Sequence, residues 1–212
     1  MKFQSPLIPA RFLMRHKRFL AQVELADGSR PWVHVPNSGA LTGCMEAGGE
    51  ILLTRDERPG RKTDYTWRFS RGPQGWICID TLAPNRLIAA ALADGALPGL
   101  SGPYEVHPEV PLPGGSRLDF LVIRGDRRLY MEVKSVTWVE DGIALFPDGV
   151  TSRGRRHLEH LAHLVRQGHE AWQVFVVQRQ DAQVFLAAAQ VDPAYAAALT
   201  TAAAAGVHIL VL

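Results

Sequence analysis

The sequence holds only two cysteines, Cys44 and Cys78, in 212 residues. Neither sits in a CxxC pair or a Cys/His zinc spacing, so a disulfide framework and a structural zinc site are both disfavoured. Both read as buried free thiols of a cytosolic protein. Long apolar runs are missing as well. The first residues contain no secretory signal, and the alanine-rich stretch near residues 194–205 is too short to cross a bilayer. A soluble cytoplasmic protein with no membrane attachment is expected. P-loop and Rossmann glycine patterns are absent, as is a sugar-stacking platform, which argues against a nucleotide- or carbohydrate-binding module. Charge of one sign is also scarce: the net charge is +2. Residues 1–80 tilt basic, with 12 Lys and Arg against 8 Asp and Glu, whereas residues 81–212 hold 11 against 13. Lysine is the rare cation, with four against nineteen arginines.

What is present is ample core material, 47% hydrophobic, enough for one large domain or two small ones. A change of periodicity after residue 80 favours two. The most informative stretch runs from Arg117 to Val136. Two β-rich runs, Leu118 to Arg124 and Arg128 to Val136, flank Gly125-Asp126-Arg127, which has the composition of a hairpin turn. A two-residue loop at Gly125-Asp126 sets Asp119 opposite Glu132. A loop at Asp126-Arg127 sets it opposite Lys134, and a three-residue loop opposes it to Val133 on the wrong face. In either favourable register the opposed Cβ atoms lie roughly 4.5 to 5.5 Å apart. Strand alternation places Tyr130, Glu132 and Lys134 on one face and Leu129, Met131 and Val133 on the other.

Two carboxylates this close repel unless one stays protonated or a cation joins them. Mg²⁺ or Mn²⁺ suits such a pair, with Asp119, Glu132 and the Val133 carbonyl as ligands. Asp119, Glu132 and Lys134 are thus the candidate catalytic residues. Lys134, a compact titratable ammonium, would orient or deprotonate the attacking water or stabilise charge on phosphate. The bland alternative is a solvated cross-strand ion pair.

In the first eighty residues, strand-like runs separated by Gly, Pro and Asp-Gly turns suggest five strands and a small OB-like barrel. Arg11, Arg15, Lys17, Arg18, Arg55, Arg58, Arg61 and Lys62 are placed to follow a phosphate backbone, with Trp32, Tyr65 or Trp67 as stacking platforms. Aromatic residues of small barrels are, however, usually core. From residue 81 to 212 the pattern predicts a helix near Pro84 to Leu92, loop-rich chain to Gly114-Gly115, and the hairpin with a third strand at Ile143 to Phe146. A helix capped by Thr151 or Ser152 follows, then strands at Trp172 to Gln178 and Gln183 to Leu186, a helix opened by Asp192-Pro193, and a last strand at Val207 to Val211. This is a mixed sheet flanked by helices. Arg153, Arg155 and Arg156 crowd a helix start, where cations oppose the dipole unless an anion joins them. Arg117, Arg153, Arg156 and His157 are therefore added to the candidate nucleic-acid contacts. His157, His160 and His163 spread over about 120° of the helix, unlike an i, i+4 metal clamp.

The segments Pro36 to Cys44, Thr81 to Arg86, Ser116 to Phe120, Glu132 to Thr137 and Phe146 to Thr151, followed by Arg153-Gly154 and His157-Leu158, resemble the sugar fermentation stimulation protein A family. That resemblance implies an N-terminal OB-like domain and a C-terminal domain similar to PD-(D/E)xK nucleases, with DNA as partner. It places Asp119, Glu132 and Lys134 in the nuclease positions and makes Glu109, upstream of Arg117, a further candidate acid for the metal. Val35, Ser38 and Gly149 depart from the family pattern without touching those three. The expected function is a DNA-binding protein with a Mg²⁺-dependent phosphodiesterase site. The alternative is a non-catalytic DNA-binding regulator of sugar-utilisation genes.

Overall fold

The computed structural model describes residues 3, 5–56, 60–112, 115 and 117–212; Arg58, Gly114 and Ser116 lie outside the described residues. The chain divides into two compact units that interleave along the sequence. One comprises Met1–Ala83, Val136–Asp148 and Val177–Leu186, and the other Pro84–Ser135, Gly149–Val176 and Ala187–Leu212.

The first unit begins with β1 (Leu7–His16), β2 (Leu20–Leu25), β3 (Trp32–His34), β4 (Glu50–Arg55) and β5 (Tyr65–Gly72), in the order β3-β2-β1-β4-β5. A parallel pairing of β3 with β5, at His34 and Thr66, closes the ring. Closure of this kind is a usual way for a small barrel to limit its open strand edges. β6 (Gly75–Cys78) continues the sheet beyond β5. Alternation turns Ala21, Val23 and Val33 inward to Phe12, Ile51, Leu53 and Trp67. Trp67 is fully buried, tilted against Phe12 at 5.0 Å, and its indole N–H donates to the Phe69 carbonyl at 2.9 Å. This is the OB barrel expected from the strand count, and it removes Trp67 from the stacking candidates.

The Pro36 to Cys44 segment forms a pinned loop. Arg15 donates to the carbonyls of Asn37 at 2.7 Å and Gly39 at 2.9 Å, while the Asn37 amide donates to the Ile79 carbonyl at 3.0 Å. Asp148 accepts from the Leu41 N–H at 3.1 Å. A Cβ on Gly39 would lie 2.6 Å from an Asp148 oxygen, which is why the loop needs glycine there. Cys44 and Cys78 are free and buried, and burial pushes the Cys44 thiol up to about 11.

Beyond the barrel come α1 (Ala83–Ala93), β7 (Glu105–Pro111), β8 (Arg117–Arg124), β9 (Arg127–Val136), β10 (Trp138–Glu140), β11 (Ile143–Phe146), α2 (Ser152–Arg166), β12 (Glu170–Val177), β13 (Val184–Ala187), α3 (Pro193–Ala204) and β14 (His208–Val211). β10, β11 and β13 make a three-stranded sheet. The second unit is built on the order β14-β12-β9-β8-β7, with β12 and β14 parallel. Sequence patterning misses β7. Its two prolines and its exposed positions read as loop, but proline is tolerated on a strand that ends a sheet.

The β8–β9 register pairs Phe120 with Met131 and Arg124 with Arg127, leaving Gly125-Asp126 as a two-residue loop. Gly125 has φ +55°, as the first central position of a type II′ turn requires. One face of the hairpin packs Phe120, Val122, Leu129, Met131 and Val133 against Ile88 and Leu92 of α1 and Trp172 and Val174 of β12. The opposite face carries the charged residues. On it Tyr130 and Glu132 are only 8% and 3% exposed, and His157 of α2 lies against Glu132.

Two side chains fix the helix starts. Thr151 Oγ1 accepts from Gly154 N–H at 3.0 Å, capping α2. Asp192, almost fully buried, caps α3 by accepting from Tyr195 N–H at 2.9 Å, while its other oxygen accepts from Thr151 N–H at 2.8 Å. Among the described residues, no helix is long and apolar enough to cross a membrane.

Candidate active site

The hairpin register brings the three expected residues together. Asp119, partly buried near the start of β8, accepts from the Val133 N–H through Oδ2 at 2.7 Å and from the Asn85 amide through Oδ1 at 2.6 Å. Asn85 projects from the first turn of α1. Glu132 Oε1 accepts from Lys134 Nζ at 2.5 Å and from His157 Nδ1. The Glu132 carbonyl accepts from the buried Gln173 amide at 3.0 Å. Its second carboxylate oxygen, Oε2, is buried with no hydrogen-bond partner. The Lys134 side chain keeps 16% exposure, so the cluster is partly open rather than sealed.

The two acids are driven apart electrostatically. Burial, and then the charge of Glu132, pushes the Asp119 carboxyl up from 3.8 to about 6, against the hydrogen bonds from Val133 and Asn85 and the charge of Lys134. Burial pushes Glu132 up too, but the His157 hydrogen bond and the Lys134 charge together hold it below its ordinary value. One carboxylate is therefore firmly ionised beside one that retains a proton well above the usual carboxylate range. Between about pH 4 and 6 the folded chain binds more protons at Asp119 than the unfolded chain, so this contribution to stability is lost as pH rises through that window.

The remaining candidates scatter. Glu109 sits in β7 with φ +53°, exposed and 3.8 Å from Arg117, and does not join the acids. Among the described residues, no group of three or more His, Cys, Asp or Glu is placed to hold a metal ion. Arg15 donates to carbonyls of the Pro36 to Cys44 loop. Arg61 pairs with Asp56 at 2.7 Å. Lys17, Arg18, Lys62, Arg117, Arg153 and Arg156 are exposed. His157, expected at the surface, is turned inward and 2% exposed. Of the aromatic candidates, Tyr65 packs against the barrel core, while Trp32 is 41% exposed with the His16 ring edge-on at 5.7 Å. Phe19, not singled out from the sequence, is 52% exposed.

Asn85, His157 and Gln173 complete the site, and pattern alone does not assign them these roles. Asn85 is visible within the Pro84-Asn85-Arg86 motif. His157 precedes Leu161 by four residues and Leu164 by seven, which places it on the buried stripe of α2. Gln173 carries no such signal.

A closed OB barrel combined with a mixed α/β unit that gathers an aspartate and a glutamate-x-lysine pair on one hairpin defines the class of two-part protein to which this chain conforms. Residues 13–79 match the SfsA N-terminal OB domain and residues 82–212 the sugar fermentation stimulation protein RE domain. The chain belongs to the sugar fermentation stimulation protein family. It is 44% identical over 210 residues to the sugar fermentation stimulation protein homolog of Geotalea uraniireducens, covering 99% of this chain and 91% of that one. The Rhodospirillum centenum homolog is 44% identical over 216 residues, covering 100% and 92%. Among solved structures, that of Pyrococcus furiosus SfsA in complex with Ca²⁺ matches with a TM-score of 0.90 at 30% identity, covering 100% of this chain and 91% of that one.

Proposed function

We propose that this chain is a DNA-binding protein whose α/β unit hydrolyses phosphodiesters with Mg²⁺ or Mn²⁺ held by Asp119 and Glu132. The observation that carries the reading is Glu132 Oε2, a buried acceptor without a donor, on the hairpin face shared with a carboxyl whose proton affinity is raised by burial and by the charge of Glu132. Such a pair is short of positive charge. The donor set fits a hard cation that takes one or two carboxylates and keeps its waters; the Val133 carbonyl is a further candidate oxygen, and three protein ligands of the zinc type are not gathered among the described residues. The Pyrococcus furiosus SfsA structure is a complex with Ca²⁺, which supports an oxygen-ligand site in this family. When bound, a divalent ion supplies Lewis-acid polarisation and a more acidic water. Lys134, already on the glutamate, would hold or take up a proton at the attacking water and balance charge on phosphate. On the barrel, exposed Trp32 and Phe19 with Lys17 and Arg18 offer stacking and phosphate contacts.

The second reading, a regulator that binds DNA without turnover, is favoured by the resting hydrogen bonds: Lys134 is engaged by Glu132, and both Asp119 oxygens hold protein donors. The name carried by the relatives is loosely consistent with it. Incubating the wild-type chain and Asp119→Asn with single-stranded, duplex and branched DNA in Mg²⁺ or Mn²⁺ separates the two. Cleavage in the wild type that disappears in the variant supports the enzyme. Binding with no cleavage of any substrate supports the regulator.

The acid limb of cation binding follows from Asp119. Its proton must leave before a cation can take its place, so below a pH of about 6 apparent Mn²⁺ affinity is expected to fall by up to about tenfold per pH unit. Calorimetric titration on either side of that value checks this, and a flat profile would remove Asp119 from the ligand set.

A further inference from the structure

We infer that His157 is a positioning residue for Glu132, occupying one carboxylate oxygen so that the other is left for a divalent cation, and that Arg153 fixes the imidazole tautomer that does so. This rests on the cation reading of the site but concerns groups outside the Asp, Glu and Lys set. The geometry is directional. Arg153 Nε, which can only donate, lies 3.3 Å from His157 Nε2, one helical turn away on α2. Nε2 must therefore accept, and in the neutral ring the hydrogen resides on Nδ1. That hydrogen points at Glu132 Oε1. The other tautomer would set donor against donor at Arg153 and acceptor against acceptor at Glu132.

Consequently Oε1 receives two donors, His157 and Lys134, and Oε2 receives none although it is buried. Gln173 holds the Glu132 carbonyl from the neighbouring strand, so the backbone is anchored too. A histidine serving only to fill the buried stripe of α2 would need neither the arginine on its outer nitrogen nor the carboxylate on its inner one. Outer partners of this kind orient a ligand and set its basicity, and losing one typically weakens metal binding by about 10- to 100-fold.

The test compares H157N with H157Q in the full chain without DNA. The asparagine amide can stand where Nδ1 stands and keep the donor to Glu132. The glutamine amide reaches towards Nε2 and loses it. Mn²⁺ affinity, measured by titration of the free-ion paramagnetic signal, is expected to stay near wild type in H157N and to drop by about 10- to 100-fold in H157Q. In the wild type, imidazole nitrogen shifts should show a protonated Nδ1 and a bare Nε2, and Arg153→Met, a surface change, should mix the two tautomers. Wild-type affinity in H157Q, equal losses in both variants, or an Nε2–H ring in the wild type would each overturn the assignment. If the wild-type chain takes up no Mn²⁺, the cation reading fails instead, and the tautomer measurements alone decide the role of His157. If H157Q does not fold, the wild-type and Arg153→Met spectra decide it.

Discussion

Lys134→Ala is expected, if the site hydrolyses phosphodiesters as proposed, to slow cleavage by about 10² to 10⁴-fold, the range for loss of a positioned proton-transfer group. The side chain is partly buried, with Nζ held 2.5 Å from Glu132 Oε1, so its ammonium is fixed at the carboxylates. Its charge lowers the proton affinity of both acids. Removing it therefore has a second effect: Asp119 holds its proton to a higher pH still, and the acid limb of the rate profile moves upward. Lys134→Arg should not restore the rate, because a planar guanidinium cannot replace a compact ammonium in that space. Single-turnover rates at saturating Mn²⁺ provide the measurement. A variant that cleaves as fast as the wild type would exclude Lys134 from the chemistry.

Trp67→Ala is expected to cost about 3 to 5 kcal/mol of stability. The indole is fully buried at the centre of the barrel, packs on Phe12 and satisfies the Phe69 carbonyl. Loss of this magnitude is a large share of the roughly 5 to 15 kcal/mol that holds an ordinary domain. Trp32→Ala provides the contrast. It is 41% exposed and meets the His16 ring only edge-on, so stability should change by only about 0.5 kcal/mol. If unpaired bases stack there, however, affinity for single-stranded DNA should weaken by about 1 to 3 kcal/mol. Urea unfolding and a binding titration of the two variants give opposite patterns. Equal stability losses at both positions would mean that barrel burial has been misassigned.

Much of the fold is legible before any coordinates because local chemistry and tertiary structure agree. Gly125-Asp126 sets the turn, and strand alternation then fixes Asp119 level with Glu132. Thr151 and Asp192-Pro193 mark two helix starts by their capping chemistry. Other features depend on which surfaces are covered, and sequence periodicity carries little of that. β7 is hidden by its prolines and by facing solvent over most of its length. The face bearing Tyr130 and Glu132 reads as charged, but its depth of burial, with His157 of α2 against Glu132, is not legible from alternation. The same covering explains His157, which lies among arginines in the sequence but packs beneath them. The loop role of Arg15 is likewise invisible in the sequence, because the carbonyls it satisfies lie more than twenty residues away.

Asp192 gives the last helix a significance that its bland alanine composition conceals. One carboxylate latches the opening turn of α3 and, through Thr151, the opening turn of α2. The imidazole that steadies Glu132 stands one and a half turns further along α2. Loss of the Asp192 carboxylate would thus loosen the ring's own foundation, so a residue sixty positions beyond Glu132 helps hold that glutamate in place.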